Sequence, residues 1–320
     1  MRTTWLCLVC SAFASMSHSQ ESIASTDSDA TAIRCLVEAY PGFLEASEHA
    51  GMVRWKDGTE WPFDDHVKKQ DFEELLGRPC LKDQLSIPYP MGWPPALPAV
   101  NCDPGRIRYE PFFRKMYGDT PEEVEKKLVN VSWLPGGEGK TVSFTKVNGA
   151  AEALSRVARE IDRLPPETKR YAATPIGTFN WRSIAETQRP SMHSFGAAID
   201  LQLPKECQDY WEWHDKAARA HPTYPREGEA PREGDAPREG DAPREGDAPA
   251  EPRFRTRSFR LGRSLALPKQ VLTDDKLGRI VCIFEKHGFI WGGKWYHFDT
   301  MHFEYRPELL AASTANGPKR

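Results

Sequence analysis

A chain of 320 residues, 39% hydrophobic and 28% charged, has the length and composition of a soluble globular protein of one large or two modest domains. Its formal net charge of -3 leaves no basic excess to neutralise phosphates, which argues against a nucleic-acid-binding protein. Beyond the first twenty residues no apolar run approaches the ~20 residues of a membrane span, so no integral membrane segment is expected there.

The chain opens with MRTTWLCLVCSAFASMSHSQ, in which Arg2 precedes an apolar run from Trp5 to Ala14 and small residues follow to Ser19. This is the layout of a signal peptide over residues 1–19, and it predicts a secreted or periplasmic protein. Residues 20–33 are small and polar and are expected to be disordered. With Cys7 and Cys10 in the signal, the cysteines left are Cys35, Cys80, Cys102, Cys207 and Cys282. An oxidising compartment permits disulfides, and Cys80 with Cys102 is the preferred pair. Cys282 lies in an apolar helical pattern and reads as a free core thiol.

Residues 34–139 are rich in Pro, Gly and aromatics and read as an irregular N-terminal subdomain packed on the rest. Within it, VRWKDGTEWPF predicts a hairpin turning at Asp57-Gly58. The prolines of LSIPYPMGWPPALP rule out a regular helix or a central strand. From residue 140 the pattern becomes regular. KTVSFTKVN alternates as a strand does, and GAAEALSRVAREIDRL carries apolar residues at helical spacing up to Pro165-Pro166. YAATPIGTFNWRSI and AAIDLQL suggest two further extended pieces. DDKLGRIVCIFEKHGF reads as a helix stopped at Gly288, followed by extended FIWGG and HFDTMHFEYR.

Short strands alternating with two long helices predict an α+β fold, a small and mostly antiparallel sheet with flanking helices, over residues 140–312. A tail follows at 313–320. The pattern is broken at about 222–252 by a PREGDA hexapeptide repeat, none of whose residues can fill a core, so a disordered insertion is expected. An arginine-rich stretch follows (Arg253, Arg255, Arg257, Arg260 and Arg263). It suits either a solvated loop flank or an anion or cell-wall contact.

Two short stretches carry the chemistry. SMHSFGAAID sets His193 and Asp200 on either side of Gly196, and DTMHFEY sets Asp299 three residues before His302. On one continuous strand His193 and Asp200 would face opposite sides, so their convergence requires a bend, and Gly196 is the residue that tolerates one. The same reasoning puts one of Asp299 and His302 in the loop that enters the strand. Two imidazoles and a carboxylate with an open fourth position make a catalytic zinc set, and a further carboxylate can take a proton from water. The rival inventory is the two-His, one-carboxylate triad that holds Fe(II) in oxygenases. Asp299 would be an odd neighbour there.

SMHSFGAAID together with DTMHFEYRPEL resembles the zinc D-Ala-D-Ala carboxypeptidase family, which also contains L-alanyl-D-glutamate endopeptidases. Its signature is S-x-H-x-x-G-x-A-x-D followed by E/D-x-x-H. GTFNWRSIAETQR upstream resembles the endopeptidase-like branch. The resemblance spans about residues 140–312 without the repeat, and implies a zinc site in a cleft holding one Zn2+ ion. It implies His193, Asp200 and His302 as the zinc ligands, Asp299 as the catalytic base and Arg182 as the cation that stabilises the oxyanion or a substrate carboxylate. Ser191, His297 and Trp295 are substrate-contact candidates, with Ser191 equally suited to capping its loop and His297 to donating to a ligand. Trp291 and Tyr296 suit either the cleft wall or the core. The expected partner is peptidoglycan or its peptide fragments, and the expected reaction is hydrolysis of an L-Ala-D-Glu or a D-Ala-D-Ala bond. A zinc-stabilised, non-catalytic wall-binding domain on the same scaffold is the alternative. Asp299 argues against it, because a purely structural site has no use for a base.

Overall fold

The computed structural model describes residues 27–137, 139–182, 189–211 and 269–316. The signal-like segment, the PREGDA repeat and the arginine-rich stretch lie outside these residues. All described residues belong to one compact unit that combines the chain up to Trp211 with the chain from Ala266 onward. The intervening unit, Glu212–Leu265, is outside the described residues.

The chain enters this unit through a helix over residues 27–39, α1, which buries Leu36 and leads directly into buried Tyr40. Residues 27–33, expected to be disordered, are therefore helical. Three short strands follow in antiparallel order, β1 (Leu44–Glu45), β2 (Met52–Trp55) and β3 (Glu60–Pro62). The expected hairpin is β2–β3. Asp57 accepts a 2.9 Å hydrogen bond from the Thr59 backbone N–H, and Gly58 takes a positive φ of 88° at the turn. Helix α2 (Glu110–Tyr117) then buries Phe112, Phe113, Met116 and Tyr117.

Two strands form a separate hairpin, β4 (Leu128–Trp133) and β5 (Lys140–Thr145), and only the second was expected. Helix α3 (Ala150–Asp162) covers it with the apolar stripe read from the sequence: Leu154, Val157 and Ile161 are fully buried. The central sheet is antiparallel and runs in the order β6 (Pro175–Gly177), β7 (Ala198–Leu201), β9 (His302–Tyr305), β8 (Phe289–Trp291). Helix α4 (Asp275–Lys286) packs on it. Asp274 caps the start of α4 by accepting from the Lys276 and Leu277 N–H groups, and Gly288 turns its end at φ 92°. Helix α5 (Pro307–Asn316) follows the last strand. The α+β architecture with small antiparallel sheets is the one expected. Among the described residues, no helix is long and apolar enough to cross a membrane.

The N-terminal region is part of the core and not an appendage to it. Leu36, Tyr40, Trp55 and Phe112 share one buried cluster with Met192, Phe195, Ala197 and Ala198, the residues around Gly196. The Pro-rich segment is pinned beside β8 and the helix before it. The Tyr89 hydroxyl donates to Glu285 at 2.7 Å, and Lys294 donates to the Pro90 and Gly92 carbonyls at 2.6 and 2.9 Å.

Two cysteine expectations fail. Cys80 and Cys102 are both free, and each is held by its own surroundings, Cys80 at the start of a short helix and Cys102 in a turn. Cys282 is exposed, because it falls on the solvent side of α4 while Val281, Ile283 and Phe284 face inward.

Candidate metal centre

The first imidazole is placed by a tight local turn. Ser191 precedes a single 3₁₀ turn, Met192–Phe195, and its hydroxyl accepts from the His193 backbone N–H at 3.4 Å. Gly196 ends the turn with φ 62°, in the left-handed region. A Cβ at this position would lie 2.4 Å from Leu128 Cδ2, a side-chain end that can shift, so the backbone conformation is what chiefly calls for glycine. The chain then enters β7, and the seven-residue spacing becomes a hook that brings His193 back to Asp200.

The other pair meets across the sheet. Asp200 on β7 is the direct partner of His302 on β9, and directly opposed residues in antiparallel strands project to the same face. Asp299 lies in the turn before β9 and His302 is the first residue of the strand, the division that their three-residue spacing demanded.

The distances suit one ion. His193 Nε2 lies 3.2 Å from Asp200 Oδ2, and His302 Nδ1 lies 2.9 Å from Asp200 Oδ1. One ligand atom from each of the three residues falls within 4.8 Å of the others. Tetrahedral zinc with donors at about 2.0–2.1 Å places those donors roughly 3.3 Å apart, close to what the side chains already adopt. His193 Nε2 is also buried with no hydrogen-bond partner in the protein, an orphan that a cation would satisfy. The donor set of two imidazoles and one carboxylate therefore fits zinc.

Each imidazole is oriented through its other nitrogen, as ligating histidines usually are. His193 Nδ1 lies 2.5 Å from the Thr178 carbonyl, which can only accept, so Nδ1 carries the proton and Nε2 faces Asp200. His302 Nε2 lies 3.1 Å from Glu304 Oε2, which leaves Nδ1 for the site. Glu304 was not singled out in the sequence. The signal was available, because residues two apart on a strand share a face, and H-F-E puts Glu304 beneath His302.

The electrostatics follow from this packing. Burial pushes the Asp200 carboxyl upward, but His193 and His302 beside it hold it far below the usual carboxylate range. Burial pushes His302 downward, yet Asp200 and Glu304 on its two nitrogens lift it to about 10. Burial raises Glu304, and His302, Arg108 and Arg306 bring it down to about 2. Asp299 behaves differently. Burial raises its carboxyl to about 6, with the Asp200 charge adding to the rise and His302 opposing it. A carboxylate poised nearer neutrality than its neighbours, and close enough to feel all three ligands, has the properties of a general base.

The remaining expected residues are placed as follows. Trp295 is buried with its ring 5.5 Å from the His302 ring, and its indole N–H donates to the Pro104 carbonyl at 2.6 Å. His297 points away from the ligands. Its Nδ1 lies 2.5 Å from Asp103 Oδ2, and its ring stacks on Phe72 at 6.0 Å. Ser191 is buried and caps the 3₁₀ turn. Arg182 has an exposed side chain, while its backbone N–H donates to Ser194 Oγ at 3.0 Å and its carbonyl accepts from the Ser191 N–H at 3.1 Å. Trp291 is fully buried core, bonded to the Thr300 carbonyl at 2.8 Å, and Tyr296 is buried beside His297.

Neither the curated proteins nor the solved structures contain a match to the chain. The family comparison does. Residues 185–305, which contain His193, Asp200, Asp299 and His302, match the family model described as D-alanyl-D-alanine carboxypeptidase, a zinc-dependent peptidase family. Over that segment the family model agrees with the resemblance read from the two motifs, and residues 185–305 are similar to the D-alanyl-D-alanine carboxypeptidase family.

Proposed function

We propose that this protein is an exported zinc metallopeptidase that hydrolyses amide bonds in peptidoglycan stem peptides. The observation that carries the reading is the convergence of His193, Asp200 and His302 on one point, with Asp299 beside them, inside the segment that matches the peptidase family.

His193 Nε2, an Asp200 oxygen and His302 Nδ1 would hold the ion. Zinc bound there supplies Lewis acidity toward the scissile carbonyl and brings the pKa of a coordinated water to roughly 7. Asp299, ionised at neutral pH, takes the proton of the attacking water and returns it to the leaving amine. Its burial makes it a better base than an ordinary surface aspartate. Trp295 walls the site against His302 and excludes water from that side. Arg182, on the loop that also carries Ser191 and His193, offsets the charge of the oxyanion or of a substrate carboxylate. The GTFNWRSIAETQR resemblance favours an L-Ala-D-Glu bond, and the family description favours a D-Ala-terminal one.

The test is digestion of purified peptidoglycan with products identified by mass spectrometry, alongside elemental analysis of the protein. Cleavage of one class of amide bond is expected, together with zinc near one equivalent. Chelator, His193→Ala and Asp299→Ala should each abolish cleavage. An Asp299→Ala protein as active as the parent, or iron in place of zinc, would overturn the reading.

A further inference from the structure

The family match begins at residue 185, yet the metal centre is braced by a segment far upstream. Residues 102–108, CDPGRIR, run alongside residues 295–306 and bond to them repeatedly. The Tyr296 N–H donates to the Cys102 carbonyl at 3.0 Å, the Trp295 indole to Pro104, and the Arg306 guanidinium to the Gly105 carbonyl at 2.7 Å. Gly105 adopts φ 97°, and a Cβ there would meet Ile290 Cδ1 at 2.5 Å and Glu304 Oε1 at 3.1 Å. The backbone of this segment thus lies directly against the carboxylate that orients His302.

Arg108 is the side chain that joins the two halves of the site. It is 6% exposed, with Nη1 3.6 Å from Glu304 Oε2 and donating to the Gly105 carbonyl at 3.2 Å. Nη2 reaches the Pro190 carbonyl at 3.5 Å, three residues ahead of His193. One guanidinium therefore touches the carboxylate behind the second histidine and the loop that carries the first. Arg306 bonds Glu304 at 2.9 Å and Glu308 at 2.6 Å, so the buried group contains two arginines and two glutamates and is neutral. Without Arg108 the group would carry a net negative charge, an expensive state for buried side chains. Buried charges in such a place need a reason, and the geometry supplies one.

We propose that Arg108 is a positioning residue of the metal centre, fixing Glu304 behind His302 and the Pro190 end of the loop that carries His193. This rests on the reading of His193, Asp200 and His302 as metal ligands. It makes the N-terminal region an obligate part of the site.

The test is Co(II) binding by the full chain, followed by the visible absorption of the bound ion and by affinity, with circular dichroism as the check on folding. The variants are Arg108→Lys, Arg108→Met, Glu304→Gln, and the double change Arg108→Met with Glu304→Gln, which keeps the buried charge balanced. The parent should bind one Co(II) with a low-symmetry visible band. Arg108→Met should weaken binding by about 10- to 100-fold, as loss of a ligand's supporting partner does, with Arg108→Lys in between. The double variant should lose less than the sum of the two single losses, since Arg108 acts in part through Glu304 and in part through the Pro190 carbonyl. If Arg108→Met does not fold, Arg108→Lys and the double variant decide. Folded Arg108 variants with parental affinity and spectrum would overturn the proposal, and so would additive losses in the double variant. A parent that binds no Co(II) would instead overturn the metal reading, and this proposal with it.

Discussion

His302 stands between two carboxylates, with Nδ1 2.9 Å from Asp200 and Nε2 3.1 Å from Glu304. Both ring nitrogens therefore face acceptors, and the imidazole is protonated at neutral pH, with its pKa lifted to about 10 despite burial. A metal ion held by His302 would take the Nδ1 position and would have to displace that proton.

Metal binding and pH are linked by this exchange. Below about pH 10 free His302 carries a proton that the bound form lacks, so affinity should rise with pH across the neutral range and about one proton should be released per ion. Titration calorimetry of zinc in buffers of different ionisation enthalpy measures this directly. A result of no proton released at pH 7 would contradict the arrangement. The folded metal-free protein obeys the same logic. His302 is raised above its unfolded value near 6.5, so its stabilising contribution is complete below that value and is lost as pH rises through about 10.

Asp299 is shifted in the same direction, upward, but with a different consequence. Its carboxyl is raised to about 6 in the metal-free site, and a nearby dication draws it lower, so the acid limb of the pH–rate profile should lie at or below about pH 6. Activity should fall as pH drops through this limb, because a protonated Asp299 cannot accept from water. Asp299→Asn should reduce kcat by about 10²–10⁴-fold while leaving metal content at the parental level. Steady-state kinetics on soluble peptidoglycan peptides, paired with elemental analysis, checks both.

Much of this site was legible because its constraints are local. Gly196 between His193 and Asp200 announced a bend, and the glycine does adopt a left-handed conformation against Leu128. The regular elements around the site were legible for a similar reason, since α3 and α4 carry clean apolar stripes between recognisable stops. Glu304, Arg108 and Asp103 were hidden because their partners are distant in the chain or disguised by strand alternation. Arg108 lies 196 positions from Glu304, and nothing in CDPGRIR by itself points to a metal centre. Cys80 and Cys102 misled because an oxidising location only permits a disulfide and does not bring two side chains together. Strand β4 was missed because, outside its one predicted hairpin, the Pro- and aromatic-rich region reads as irregular.

Replacing Gly196 by alanine tests the bend itself. Alanine pays about 1–2 kcal/mol for the left-handed conformation, and Leu128 Cδ2 can move aside for its Cβ, so a loss of about that size is expected. A fall in melting temperature of several degrees is expected, since each kcal/mol shifts Tm by roughly 2–4 °C in domains of 150–250 residues. Zinc affinity should fall with it, because His193 and Asp200 lie on the two arms of the turn. Calorimetric scans with and without zinc separate the two effects. A variant with parental stability and affinity would show that the hook does not depend on this glycine.

The last prediction concerns the clamp that holds the Pro-rich segment. The Lys294 ammonium is fully buried, bonded to Glu285 and to the Pro90 and Gly92 carbonyls, while Tyr89 donates to the same glutamate. Burial pushes the lysine downward, and Glu285 pushes back. Removing one partner of a buried pair strands the other, which typically costs about 3–5 kcal/mol, whereas removing both charges is often close to neutral. Lys294→Met should therefore destabilise strongly, and Lys294→Met with Glu285→Gln should recover a large part of the loss. The recovery should stop short of the parent, because the two carbonyls and the Tyr89 hydroxyl lose their charged partners. Denaturant unfolding of the parent, both single variants and the double variant closes the cycle. Losses that simply add would mean that Lys294 and Glu285 act independently.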